Sequence, residues 1–384
     1  MNFRALYAAY DVYPSFKGSA THIEQFAGTL FRHFRGGLLY TLGNAELLPA
    51  ELPPQTRHRV YYQQEVNFLQ RALGYTQSLK HILQQEACPE VAHFRDIWSG
   101  WPIIEKLPGT KKVFEVNGLP SVELPFRYPN LPTSTLEKIQ HLETYCLQHA
   151  DAIVVPSAVT RQYLASRGFE RVTVIQNGTN IPDQAPRPAG APKQYIIYFG
   201  ALQRWQGLDT AFKTLKYLQD FPDLQLVVCA AHRTRFVKPY KKLAAKLGVD
   251  NRVTWKFRMS KAELWSWVQH AVASLAPLKE NRRNLVQGCC PLKIIESMAC
   301  GTPVIASDLP VVRELMEDFQ HGRLVPADRP AELARVVRLL LDYPEEAIKM
   351  GIAGRKKAIA GCEWTKQNDK LLRLYASLKE SYYV

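Results

Sequence analysis

Residues 281–308 read NRRNLVQGCCPLKIIESMACGTPVIASD, and this stretch decides the architecture. Gly288, Cys289 and Cys290 make a loop of small residues. Pro291 suits the first position of a helix, where the missing N–H is no loss. Leu292, Ile295, Met298 and Ala299 recur at helical spacing, so one face is apolar. Gly301 ends the helix as a left-handed cap, and Pro303-Val304-Ile305-Ala306 reads as a short buried parallel strand. A helix opening on small residues leaves its first N–H groups free to meet an anion, and its dipole favours a phosphate there. Lys293 and Glu296 stand three apart on one helix surface. They suit a diphosphate and a ribose respectively, or they are an ordinary solvated pair.

The order of residues goes further. PLKIIESMACGTPVIASDLP, residues 291–310, resembles the donor-nucleotide segment of retaining glycosyltransferases of the GT-B fold, in family 4. The family pattern is a Glu, seven residues, a second Glu, a small-residue helix end, then Gly-x-Pro-Val. Glu296 matches the second Glu, which the resemblance implies holds the donor's ribose. Gly288 stands where the first Glu would fall, and the backbone amides of Gly288, Cys289 and Cys290 are the expected substitutes. Tyr195–Phe199 reads as a strand running into Gly200-Ala201-Leu202-Gln203-Arg204-Trp205-Gln206-Gly207, which resembles the family's diphosphate loop. Gln206 occupies the usual Lys position, so Arg204 is the expected replacement cation, able to hold two phosphate oxygens at once. By the same resemblance, Arg258 and Met259 line the nucleobase.

The first half opens with a strand over residues 3–9, a loop holding Gly18, Ser19 and Thr21, and an amphipathic helix marked by Ile23, Phe26, Ala27, Leu30, Phe31 and Phe34. Strand, glycine-containing loop and helix begin a Rossmann-like unit. In the resembled family this loop lies near the donor phosphates and the acceptor, which assigns Gly18 and Ser19 to the donor. Residues 91–100 deliver His93, Arg95 and Asp96 to the carboxyl end of a strand, where α/β folds place ligands. Arg95 is read as an anion clamp, with Asp96 orienting it or accepting from a sugar hydroxyl; a buried Arg95–Asp96 network without a ligand is the alternative. His93 falls where the family commonly has a His contacting the donor sugar or its phosphate. A further strand end brings Glu115 and Asn117 towards the same cleft, on the acceptor or sugar side.

Strands and helices alternate throughout, which predicts an α/β chain with two parallel sheets covered on both faces. As in the resembled fold, two Rossmann-like domains face each other across a cleft, and a C-terminal helix crosses back to the first. The proline-rich run from Pro182 to Pro192 is read as the linker. It divides residues 1–185, joined by 364–384, from a donor domain over 186–363. A length of 384 residues suits two domains. The opening residues lack a signal-peptide pattern, and no stretch of about 20 apolar residues is present to span a membrane. Seven cysteines without CxxC pairs suit a reducing cytoplasm. Of the net charge of +14, residues 1–185 contribute 17 Lys/Arg against 16 Asp/Glu, and residues 186–384 contribute 32 against 19. The excess suits a nucleotide-sugar field or an anionic membrane surface; nucleic acid ranks last, since no recognisable module for it is present. The basic helix expected over residues 235–247 is a solvated face or a membrane contact.

The resemblance implies transfer of a hexose-type unit from a nucleotide diphosphate sugar to a hydroxyl of a glycan or glycolipid acceptor, with anomeric retention, in surface or exported glycan synthesis. Arg204, Lys293 and the helix start at Cys290 would oppose the charge growing on the leaving diphosphate, with His93 as a third catalytic group. No metal or other cofactor is expected. The expected setting is cytoplasmic, with peripheral contact at the inner face of the membrane. A nucleotide-sugar epimerase of the same fold and a non-catalytic sugar-nucleotide binding protein are the alternatives.

Overall fold

The computed structural model describes residues 3–43, 52–62, 65, 67–231 and 234–380. Strand β1 (Ala5–Val12) is buried on both faces over its first five residues, as a central parallel strand must be. It lies in a seven-stranded parallel sheet with β2 (Gly37–Gly43), β3 (Thr56–Tyr62), β4 (Val91–Phe94), β5 (Lys111–Glu115), β6 (Ala152–Val155) and β7 (Val172–Val174), in the order β3-β2-β1-β4-β5-β6-β7. A six-stranded parallel sheet follows: β8 (Gln194–Gly200), β9 (Leu224–Ala230), β10 (Val253–Phe257), β11 (Ala273–Ala276), β12 (Val304–Ser307) and β13 (Gly322–Val325), in the order β10-β9-β8-β11-β12-β13. Both orders reverse beside the first strand of the sheet, between β1 and β4 and between β8 and β11. Each reversal opens a crevice at the carboxyl ends of the strands.

The pleat of β1 sends Leu6 and Ala8 into a core with Tyr40, Phe94 and Phe114, and Tyr7 and Ala9 into one with Phe26 and Phe31 on the opposite face. The C-terminal helix Trp364–Glu380 completes this second core with Trp364, Leu371, Tyr375 and Leu378. The chain therefore crosses back from its second domain to finish its first. Among the described residues, no helix is long and apolar enough to cross a membrane.

Three elements have weak sequence signals. The helix Ile97–Lys106 contains Gly100 and Pro102. Pro102 cannot donate to Trp98 O, and Thr76 Oγ1 donates there instead at 2.9 Å, so the helix continues through its proline. The helix Pro120–Arg127 holds Pro125, and β13 is only four residues long. Conversely, the basic helix expected from residue 235 begins only at Lys238. The segment Arg283–Gln287 is a π-helical turn.

Candidate active site

A cleft of about 680 Å³ separates the two sheets. Two helix amino ends converge on it: Gly18–His33 from the first domain and Leu292–Ala299 from the second. They touch, since a Cβ built on Gly18 would lie 2.6 Å from Leu292 Cδ1. Neither helix has a capping side chain or an acidic residue in its first turn. Their positive ends thus face the cleft unneutralised. Lys293 adds a positive charge to this field when it is protonated. Its side chain lines the cleft but is only 6% exposed, and Nζ has no hydrogen-bond partner. The ammonium sits 3.9 Å from the centre of the Tyr198 ring, and burial pushes its pKa down to about 7. Glu296, one turn further along the helix, also lines the cleft, with one carboxylate oxygen paired to Lys261. Cys289 and Cys290 line it where the chain enters the helix, and Asn177 Nδ2 of the first domain donates to Cys290 O at 2.7 Å.

The first-domain wall is built on a buried carboxylate. Glu115 Oε1 accepts from Arg95 Nε at 2.8 Å and from Asn117 Nδ2, and lies 2.8 Å from His22 Nε2. Glu115 Oε2 accepts from Tyr7 at 2.8 Å and from His93 Nε2 at 3.1 Å. Burial alone would raise this carboxyl's pKa, but His22 and Arg95 hold it well below the usual carboxylate range. Arg95, fixed at one end by Glu115, reaches Asp11 at 3.2 Å and Ser19 O at 3.4 Å and lines the cleft. His22 continues the network to Asn177 Oδ1 at 2.6 Å, and so to the loop at Cys290.

Of the residues singled out by sequence, Gly18, Ser19, Arg95, Asp96, Asn117, Gly200, Met259, Cys289, Cys290, Lys293 and Glu296 line this one cleft. The others correct the reading. His93 is fully buried beneath the wall, and its second nitrogen, Nδ1, meets Tyr375 Oη at 2.7 Å. Burial lowers its pKa, so the neutral ring donates to Glu115 and accepts from Tyr375, with no nitrogen left for a ligand. Glu115 likewise lies under the cleft, as its anchor. Asp96 does not orient Arg95: it accepts from Ser99 N at 2.8 Å and Tyr10 N at 2.6 Å, capping the helix Ile97–Lys106. Arg204 is exposed on the outer side of its turn, while Gln203, Trp205 and Gln206 line the cleft. Gly207 serves packing, because a Cβ there would stand 1.7 Å from Pro277 O. Arg258 lies over the Phe16 ring at 5.2 Å, bridging the domains at the rim. Gly288 faces away from the cleft. Its φ is +84°, and a Cβ would meet Thr160 Oγ1 and Ser157 Oγ of the first domain at 2.6 and 2.7 Å. The family's first carboxylate therefore has no room at this position.

Sequence reasoning missed Lys17, Arg71, Glu123, Arg127, Lys261 and Arg283, all of which line the cleft. None of them belongs to a motif that marks it in the sequence. Arg283 follows Arg282, which is exposed, and nothing in the sequence separates the two. Among the described residues, no three His, Cys, Asp or Glu side chains group as a metal site.

Comparison with known proteins bears on the family and the fold. Residues 16–181 match the model of Glycosyltransferase Family 4, and residues 182–357 match that of Glycosyl transferases group 1. D-inositol 3-phosphate glycosyltransferase 1 of Catenulispora acidiphila is 27% identical over 258 residues, covering 62% of this chain and 60% of that protein. Alpha-maltose-1-phosphate synthase of Mycolicibacterium smegmatis is 26% identical over 265 residues, covering 61% and 65%. The matched stretches thus span less than two thirds of these relatives' own lengths. Among solved structures, sucrose-phosphate synthase from Thermosynechococcus elongatus superposes with a TM-score of 0.77 at 19% identity, covering 98% of this chain and 100% of that one. Anabaena Alr3699/HepE in complex with UDP-glucose superposes with a TM-score of 0.73 at 14% identity, with the same coverage. With its halves matched in turn by these two family models and both sheets arranged as in GT-B structures, the chain belongs to the family 4 glycosyltransferases of the GT-B fold.

Proposed function

We propose that this chain transfers a sugar, with retention, from a nucleotide diphosphate sugar to a hydroxyl of an acceptor bearing an acidic group. The observation that carries the donor half is Lys293. A buried ammonium without a hydrogen-bond partner is costly in the free protein, and an anion arriving between it and the two helix ends offsets that cost. The diphosphate takes this place, and Glu296 takes the ribose hydroxyls one turn along. As the sugar–phosphate bond breaks, negative charge grows on the β-phosphate, and Lys293 with the helix end stabilises it without rearrangement. This assignment requires no divalent metal. HepE, solved with UDP-glucose, supports the donor class.

The acceptor half rests on the first-domain wall. Lys17, Arg71 and Arg127 line it. Arg71 is held there by Tyr10 Oη at 3.2 Å and Glu65 O at 3.1 Å, so its fork is presented in a fixed direction. The names of the inositol-phosphate and maltose-1-phosphate relatives support a phosphate on the acceptor side. Synthesis of a surface or exported glycan is the setting we assign.

The test incubates the purified chain with UDP-glucose, GDP-mannose and ADP-glucose, with and without inositol 3-phosphate or inositol. Nucleotide release that rises with the phosphorylated acceptor, and a product whose anomeric NMR coupling matches the donor, are expected. Isomerised sugar without an acceptor would indicate an epimerase. Binding without turnover would indicate a non-catalytic protein, and no binding at all overturns the donor assignment.

A further inference from the structure

Glu123 enters the cleft from the first domain, in the helix Pro120–Arg127, yet it is held by the second. Its Oε1 accepts from Arg283 Nε at 2.8 Å and from Gln287 Nε2 at 3.2 Å. Both holders are themselves fixed. Arg283 stacks over Trp205 at 4.9 Å and donates to Asn284 Oδ1 at 3.0 Å, while Gln287 Oε1 accepts from Leu119 N at 3.0 Å. Both bonds to the carboxylate fall on Oε1. Oε2 is left to the cleft that Glu123 lines, in a side chain 31% exposed.

This carboxylate stands where the second domain has none of its own. Gly288 points into Ser157 and Thr160 and admits no side chain. Of the two residues that clamp Glu123, Gln287 immediately precedes Gly288 and Arg283 lies five residues before it, while Cys289 immediately follows. Resting on the nucleotide-sugar reading, a diphosphate at Lys293 directs the attached sugar towards Cys289 and the first-domain wall. We infer that Glu123 Oε2 accepts hydrogen bonds from hydroxyls of the donor's sugar ring, so that one domain holds the nucleotide while a residue of the other recognises the sugar. A carboxylate oxygen fixed from behind accepts sugar hydroxyls with little ordering left to do. Because the clamp is made across the two domains, the sugar is gripped only when they are together, which ties recognition to the exclusion of water.

The experiment titrates the wild type, E123A and E123Q with three pairs of probes: UDP and UDP-glucose, GDP and GDP-mannose, ADP and ADP-glucose. For whichever pair the wild type binds, E123A should weaken the sugar nucleotide by roughly ten- to a hundred-fold. The plain diphosphate should stay within about twofold, since it makes no contact with Oε2. E123Q, which keeps an acceptor oxygen without the charge, should fall between. Equal weakening of both members of the pair in both variants would make Glu123 a strut between domains and overturn the inference; so would unchanged affinity for both. If the wild type binds none of the six probes, the donor assignment fails and this inference with it.

Discussion

Lys293 shows how much one side chain can set. Its folded pKa of about 7 lies below the ordinary lysine value of 10.5. The unfolded chain therefore holds more protons between those two values, and this group costs folding stability that grows as pH falls towards 7. Lys293→Met should stabilise the free protein against unfolding, by on the order of a few kcal/mol at pH 6 and less at pH 9, while abolishing nucleotide binding. A destabilised variant in calorimetry at both pH values would contradict this. The same titration governs binding. A pyrophosphate diester carries no group titrating near neutrality, so the affinity for UDP-glucose or its counterparts should fall as pH rises above 7, with proton uptake on binding. Calorimetry in buffers of different ionisation enthalpy reads that uptake, and Lys293→Gln should flatten the profile. Lys293 was legible in the sequence because a helix start of recognisable pattern carried it. Its lack of a partner was not, since that depends on Tyr198 of β8 closing over it.

At the scale of elements, loops that read alike divide between packing and binding. The turn from Gly200 to Gly207 presents Gln203, Trp205 and Gln206 to the cleft and turns Arg204 outwards. Arg204→Ala should accordingly change sugar-nucleotide affinity by less than about twofold, in line with a surface substitution; a tenfold loss would return it to the site. The segment after the π-helical turn Arg283–Gln287 is equally divided, with Cys289 lining the cleft and Gly288 wedged against the first domain. Restoring the family's carboxylate by Gly288→Glu should lower activity rather than raise it. The side chain would need a left-handed backbone and the space of Ser157 and Thr160, a combined strain of roughly 1–3 kcal/mol or more. A more active G288E enzyme would refute the packing argument. Extended charged helices remain open to both readings from sequence alone: Lys238, Lys241, Lys242 and Lys246 are all exposed on the helix Lys238–Leu247.

For the whole molecule, the two domains are joined by more than a linker. Glu314 of the second domain accepts from Ala158 N and Val159 N of the first at 2.9 and 3.0 Å, and the C-terminal helix returns to the first domain's core. Four of its side chains are buried there, each contributing roughly 1.5–3 kcal/mol. That sum is comparable to the total stability of about 5–15 kcal/mol expected of a domain. A chain ending at Glu363 should therefore lose the cooperative melting of its first domain while keeping that of the second, as scanning calorimetry would show; an unchanged first transition would mean the helix is dispensable. By itself the sequence determined the alternation of strands and helices, the two-sheet class, and the helix that carries Lys293 and Glu296. Those follow from periodicity and from motifs whose residues are neighbours in the chain. Tertiary structure decided that His93 is a buried prop, that Arg204 faces out, and that Glu123, Arg283 and Arg71 face in. Whether a charge faces solvent or a cleft depends on which distant strand or helix closes over it, and local spacing carries no record of that.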